Sequence, residues 1–137
     1  MNAAHFVKSF LAITTAVVAV SAGVTTGTAD AAYKCTGRAS GWPGSWGSVS
    51  KQCVHFAPND PKWGGYIIVG WGVQPGTSQQ ACVEGRMSRY TNPDKWQSLG
   101  CGKGNKGKIA WPRNSASMLE IRVKSASIGV ALVEYGI

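Results

Sequence analysis

Turn-forming residues interrupt this chain at short intervals, and that punctuation limits the structures it can form. The sequence has 18 glycines and 6 prolines among its 137 residues. A glycine inside a helix costs up to about 1 kcal/mol relative to alanine, so long helices are disfavoured. No window shows the apolar periodicity of an amphipathic helix. Turns are predicted at residues 42–44, 58–61, 75–76, 92–94, 100–107 and 112–115.

Runs of alternating residues between these turns predict β-strands. In residues 119–124, Leu, Ile and Val alternate with Glu, Arg and Lys, so we expect one face on the core and one in water. Residues 66–73 place Ile, Val and Trp on one face. Further strands are predicted at 48–56, 83–87, 95–99, 107–111 and 131–137. About seven short strands predict an all-β fold, a small antiparallel β-sandwich or barrel. Residues 36–48 are expected to be a flexible lead-in.

The N-terminus predicts export. Lys8 precedes an apolar run over residues 10–20, and Ala29-Asp30-Ala31 forms a small-x-small cleavage site. This order is typical of a secretory signal peptide, and the apolar run is too short to span a membrane as a helix. We therefore expect residues 1–31 to be removed, leaving residues 32–137 as a single secreted, extracellular β-domain.

Four cysteines follow the predicted leader. An even number in a small exported domain predicts two disulfides, each contributing on the order of 3 kcal/mol. Three pairings are possible, and we favour the one that joins cysteines close in sequence. A metal site is not expected, because the cysteines lack C-x-x-C spacing and only one histidine follows the leader. The favoured bonds are Cys35–Cys53 and Cys82–Cys101.

The chain is strongly basic, with a formal net charge of +8. The leader holds one lysine and one aspartate, so its removal leaves this charge unchanged. Such a charge attracts anionic surfaces and polymers over a Debye length. Solubility alone is the alternative explanation.

Residues 102–108 combine glycines with three lysines, Lys103, Lys106 and Lys108. Their G-x-x-x-x-G-K spacing matches a phosphate loop, but Ile109 follows where Ser or Thr is required, and no strand–loop–helix unit is predicted. We instead predict a hairpin tip whose lysines contact phosphate, sulfate or carboxylate groups, or are simply solvated. Trp96 and Trp111 flank the segment and would approach each other across such a hairpin.

Tryptophan is abundant, with six in the chain. We assign Trp71 to the core. Tryptophans beside turns and polar residues can stack on sugar rings or anchor an interface, although a thin core can also use them as filling. The candidate contact residues are Trp63, Trp96 and Trp111, with Trp42 and Trp46 in a Gly/Ser/Pro-rich stretch.

His55 is the one histidine after the leader. A hydrolase or nuclease would pair it with a carboxylate such as Glu84, with Arg86 stabilising developing negative charge. A lone histidine on a strand is more often structural. Neither the nucleophile-elbow motif nor the zinc-protease motif is present.

Together these features favour a monomeric binding module for an extracellular or cell-wall polymer of polysaccharide type. Its predicted contact residues are Trp63, Trp96, Trp111, Lys103, Lys106 and Lys108. One alternative is a secreted inhibitor or antagonist of another protein, such as a hydrolase inhibitor or an antimicrobial. The other is a small hydrolase or nuclease that uses His55. We expect no cofactor, no metal, no nucleotide chemistry and no stable membrane insertion, although an anionic surface is a possible partner.

Overall fold

Two four-stranded antiparallel sheets form the fold in the computed structural model, which describes residues 34–88 and 95–137. Sheet A has the strand order β1-β8-β3-β6, and sheet B has the order β2-β7-β4-β5. The predicted all-β fold is confirmed, with eight strands instead of seven. The strands are β1 (Thr36–Gly41), β2 (Ser50–Ala57), β3 (Tyr66–Val73), β4 (Ala81–Met87), β5 (Gln97–Gly102), β6 (Gly104–Ala110), β7 (Ser115–Ser125) and β8 (Ala131–Gly136).

The inner faces of the two sheets share one apolar core. Because side chains alternate across a strand, each strand supplies every second residue to it. Strand β7 contributes Leu119, Ile121 and Val123, all fully buried. Trp111, just after β6, is the largest fully buried side chain in the described residues. The alternation predicted in residues 66–73, 119–124 and 131–137 therefore correctly identified the core-facing side of three strands.

Strand β1 occupies the segment that the sequence suggested was a flexible lead-in. Its inner face carries only Gly37, Ala39 and Gly41. A Cβ atom at Gly37 would overlap the Tyr135 ring, so small residues are required where that ring packs. The same small residues gave the segment the composition of a loop, and that is why the strand was missed.

Both predicted disulfides are confirmed. Cys35, directly before β1, is bonded to Cys53 of β2, so this bond connects the two sheets. Cys82 and Cys101 lie opposite each other on β4 and β5 and are also bonded. Such bonds persist in oxidising compartments, which is consistent with an extracellular protein. The predicted leader, residues 1–31, lies outside the described residues.

Antiparallel pairing sorts the connections between strands to two ends of the fold. One end, which we call the upper end, contains the connections 42–49, 74–80, 103 and 126–130. Residues 58–65 and 111–114 connect strands at the opposite, lower end. In the described part of the chain, no helix is long and apolar enough to cross a membrane.

Near its upper end, β1 comes very close to the backbone of β7, and a substitution can test this contact. A Cβ atom at Gly41 would overlap the carbonyl oxygen of Val123, which belongs to the sheet backbone. We expect Gly41→Ala to lower the free energy of unfolding by about 2 kcal/mol or more, measured by urea denaturation. The matched control is Gly72→Ala, where the one neighbouring atom within reach, the Lys103 carbonyl oxygen, is 3.8 Å away. It should change stability by less than about 0.5 kcal/mol. Equal losses would contradict the close approach.

Candidate functional site

The structure separates the predicted site residues into three regions. Strands β5 and β6 belong to different sheets, and the chain crosses between them at Lys103. The predicted hairpin in this segment is therefore wrong, and Trp96 and Trp111 are not brought together. Lys106 and Lys108 lie on sheet A, Trp96 lies over the outer face of sheet B, and Trp111 lies in the core.

Two of the three lysines lie on β6, an edge strand of sheet A, and Lys103 lies in the connection directly before it. We call Lys103, Lys106 and Lys108 the lysine strip. Lys106 and Lys108 share the outer face, roughly 7 Å apart along the strand, and both are exposed. Lys108 lies beside Ile68 on β3, and its Nζ is 4.3 Å from the centroid of the exposed Tyr66 ring. Within the described residues, none of the three forms a salt bridge.

The outer face of sheet B is organised around a buried carboxylate. Glu120 of β7 was expected in water, yet it is only 4% exposed. It accepts hydrogen bonds from Arg86 Nε at 2.6 Å and Ser88 Oγ at 2.9 Å, and Lys51 Nζ is 3.2 Å from it. Burial raises the pKa of Glu120, but the hydrogen bonds from these three side chains outweigh it and hold the pKa below its usual value. The carboxylate is therefore charged and fully engaged.

Arg122 brings two tryptophans together on the same face. Its Cζ lies 4.5 Å from the Trp46 ring centroid and 4.3 Å from that of Trp96. Its guanidinium also donates two hydrogen bonds to Glu84 Oε1, at 2.9 and 2.6 Å. Arg86 Cζ lies 4.2 Å from the Trp96 centroid. We call Trp46, Arg122, Trp96 and Arg86 the Trp–Arg row. Cation–π contacts contribute about 0.5–2 kcal/mol each, so these half-buried rings have a structural role.

His55 faces inward from β2 at the lower end of the core. Its ring stacks on Trp63, with centroids 5.9 Å apart, and meets Trp111 edge-on at 5.6 Å. Trp63 Nε1 donates a hydrogen bond to the Trp111 carbonyl oxygen at 2.6 Å. Burial, and secondarily the charge of Lys34, hold the pKa of His55 below its usual value. Trp63 is half-buried in this cluster, and Trp111 has no exposed surface on which a polymer could stack.

The residues considered for catalysis are not brought together. Glu84 and Arg86 project from the outer face of β4, where they pair with Arg122 and Glu120. His55 lies on the inner face of β2, with β7 between these two strands. The described residues contain no group of three or more His, Cys, Asp or Glu side chains that could hold a metal ion.

Sequence reasoning missed the apolar neighbours of the lysine strip, Tyr66 and Ile68. Both fall on the second face of the alternating segment 66–73, but only the pairing of β3 with β6 brings them beside Lys108. The sequence matches no protein-family model and no curated protein. The function must therefore be argued from these surfaces.

Removal of the buried carboxylate tests the outer face of sheet B. We expect Glu120→Ala to lower the free energy of unfolding by about 3 kcal/mol, because it leaves the partly buried Arg86 without its counter-charge. Chemical denaturation measures this loss. Glu134→Ala is the matched control, since its pair with Arg38 spans 3.8 Å and both side chains are largely exposed. It should cost less than about 1 kcal/mol. A small loss in Glu120→Ala would contradict the network.

The environment of His55 predicts a pH-dependent stability. The unfolded chain binds a proton at His55 near its ordinary pKa of about 6.5, whereas the folded protein resists protonation. Stability is therefore fully present above that pKa and is lost as the pH falls below it. We expect the wild-type urea midpoint to fall between about pH 7.5 and pH 5.5. In His55→Gln the midpoint should change much less over this interval. Parallel profiles would show that His55 does not titrate differently in the two states.

Proposed function

We propose that this protein is a secreted module that binds an anionic, polysaccharide-like extracellular polymer along β6 of sheet A. The observation that carries the proposal is the lysine strip, three cations without a salt bridge in the described part of the chain. The two disulfides and the predicted leader support an extracellular setting, where such polymers are encountered.

The shape of this surface favours a polymer over a small ligand. Small-molecule sites are concave and enclose most of their ligand, whereas the lysine strip follows an exposed edge strand. Charges spaced along a strand suit a chain that carries repeated carboxylate or sulfate groups. Tyr66 and Ile68 add an exposed apolar step beside Lys108, against which a sugar ring can pack.

The tryptophans are less suited to this role than the sequence suggested. In the Trp–Arg row each arginine already pairs with a glutamate, so neither guanidinium is as available to a polymer as the lysine strip. Trp63 is half-buried against His55, and its ring nitrogen is engaged with Trp111. We therefore propose that Tyr66, and not a tryptophan, supplies the aromatic contact with the polymer.

A matched pair of double variants tests the proposal. Lys106→Ala/Lys108→Ala removes two charges from the strip, and Lys62→Ala/Arg113→Ala removes two exposed charges from the lower end. The probes are polygalacturonate, heparin and the neutral polymer cellulose. The strip variant should bind the anionic probes more weakly and lower the slope of log affinity against log salt by about 1–2. Tyr66→Ala should weaken binding at high salt as well, because stacking is not screened.

The control defines what would contradict the proposal. Lys62→Ala/Arg113→Ala should retain most of the affinity, with circular dichroism confirming that both double variants are folded. Equal losses in the two would assign binding to net charge instead of the lysine strip. Failure of the wild-type protein to bind either anionic polymer, or equally strong binding to cellulose, would refute the function.

A further inference from the structure

Three exposed apolar side chains belong to the connections at the upper end of the fold. Trp42 directly follows β1, and Val130 directly precedes β8. The neighbouring residues Gly41 and Ala131 are partners in the sheet, so Trp42 and Val130 extend from adjacent strand ends. Ile128 lies two residues before Val130 and is fully exposed, whereas Trp42 is 65% exposed. We call Trp42, Ile128 and Val130 the apolar tip.

Backbone hydrogen bonds hold the connections that carry the tip. Ser125 N donates to the Trp42 carbonyl oxygen at 3.2 Å, and Gly47 N donates to that of Val123 at 2.8 Å. Ala126 N donates to the Gln80 carbonyl oxygen at 2.8 Å, which joins two adjacent connections. These bonds hold the backbone at Trp42 and at the start of the connection that carries Ile128 and Val130.

The charges at the upper end suit an anionic surface. The four upper connections contain no aspartate or glutamate, and Lys103 is their one charged residue. Lys124 lies just below them, near the upper end of β7, with its Nζ 4.8 Å from the centroid of the Trp46 ring. Long lysine side chains can extend toward phosphate groups while their methylene stems pack on apolar surface. The full chain adds a net charge of +8.

We propose that the upper end docks on an anionic lipid bilayer by inserting the apolar tip at the headgroup boundary. Tryptophan favours that boundary, aliphatic side chains enter the acyl region, and lysines pair with lipid phosphates. A protruding tip without carboxylates fits a deformable surface of this chemistry better than a preformed protein pocket. Three side chains give a reversible, peripheral attachment that needs both apolar insertion and electrostatic attraction. This inference does not depend on polymer binding, since only Lys103 belongs to both surfaces.

Vesicle binding with a matched control tests the inference. The protein is recovered from culture medium, with its mass confirming loss of the leader, and is sedimented with phosphatidylcholine vesicles with or without phosphatidylglycerol. The wild type should partition onto the anionic vesicles. Ile128→Asp should lower the partition constant by about tenfold or more. The control is Phe56→Asp, which makes the same charge change at a side chain 72% exposed near the lower end of β2. It should lower partitioning by less than about threefold.

A second readout reports insertion directly. Brominated lipids should quench part of the tryptophan emission of the bound wild type, and Trp42→Phe should remove that part. Lys106→Ala/Lys108→Ala should still partition, which separates this site from the polymer surface. Absence of wild-type binding, or equal losses in Ile128→Asp and Phe56→Asp, would overturn the inference. Binding that survives Ile128→Asp would also overturn it and leave the tip free for a protein partner.

Discussion

The pairing of Glu120 is the constraint on which sheet B depends. Glu120 lies on β7 between Leu119 and Ile121, two residues that fill the core. A one-residue slip of the strand would turn the carboxylate inward and the apolar residues outward. Burying a carboxylate costs free energy unless it is fully paired. Arg86 of β4 and Lys51 of β2 therefore pair with it from the strands on both sides. Satisfying this one group therefore fixes the register of β2 and β4 against β7.

The same face is then closed by side chains that come from distant parts of the sequence. Trp46 reaches Arg122 from the connection before β2, and Trp96 reaches it from the residue before β5. Sheet A has no comparable cover among the described residues, because its outer face exposes Tyr66, Ile68 and two lysines of β6. The two sheets thus differ in how their cations are used: both arginines of sheet B pair with glutamates, whereas Lys106 and Lys108 form no salt bridge among the described residues. This difference is the reason for placing the polymer site on sheet A.

Local sequence patterns predicted the strands whose apolar and polar residues alternate. They failed where the structure depends on contacts between residues that are far apart in the sequence. Alternation predicted β3, β7 and β8 because one face of each is apolar. It missed β1, whose Gly37 is explained by the Tyr135 ring and whose Gly41 is explained by the nearby backbone of β7. It also suggested a hairpin over residues 100–107, because glycine and lysine are common at turns. There the chain changes sheets instead, with Gly100 and Gly102 in left-handed conformations around Cys101. The cationic character of the strip was predicted, but its aromatic neighbour was not, because Tyr66 is far away in the sequence.

The two proposed surfaces are compatible because strands run from one end of the fold to the other. Strand β6 starts at the upper end, beside Lys103, and descends toward the lower end. At about 3.3 Å per residue, Lys108 lies roughly 16 Å along the chain from Lys103. A protein docked by its apolar tip would therefore hold Lys106 and Lys108 away from the lipid surface, on a face that stays open to solvent. Membrane attachment and polymer binding would then occur together, with Lys103 at the junction of the two. On the opposite face, Arg86 and Arg122 are already paired with glutamates, so the orientation of the bound molecule would be set by one end and one sheet.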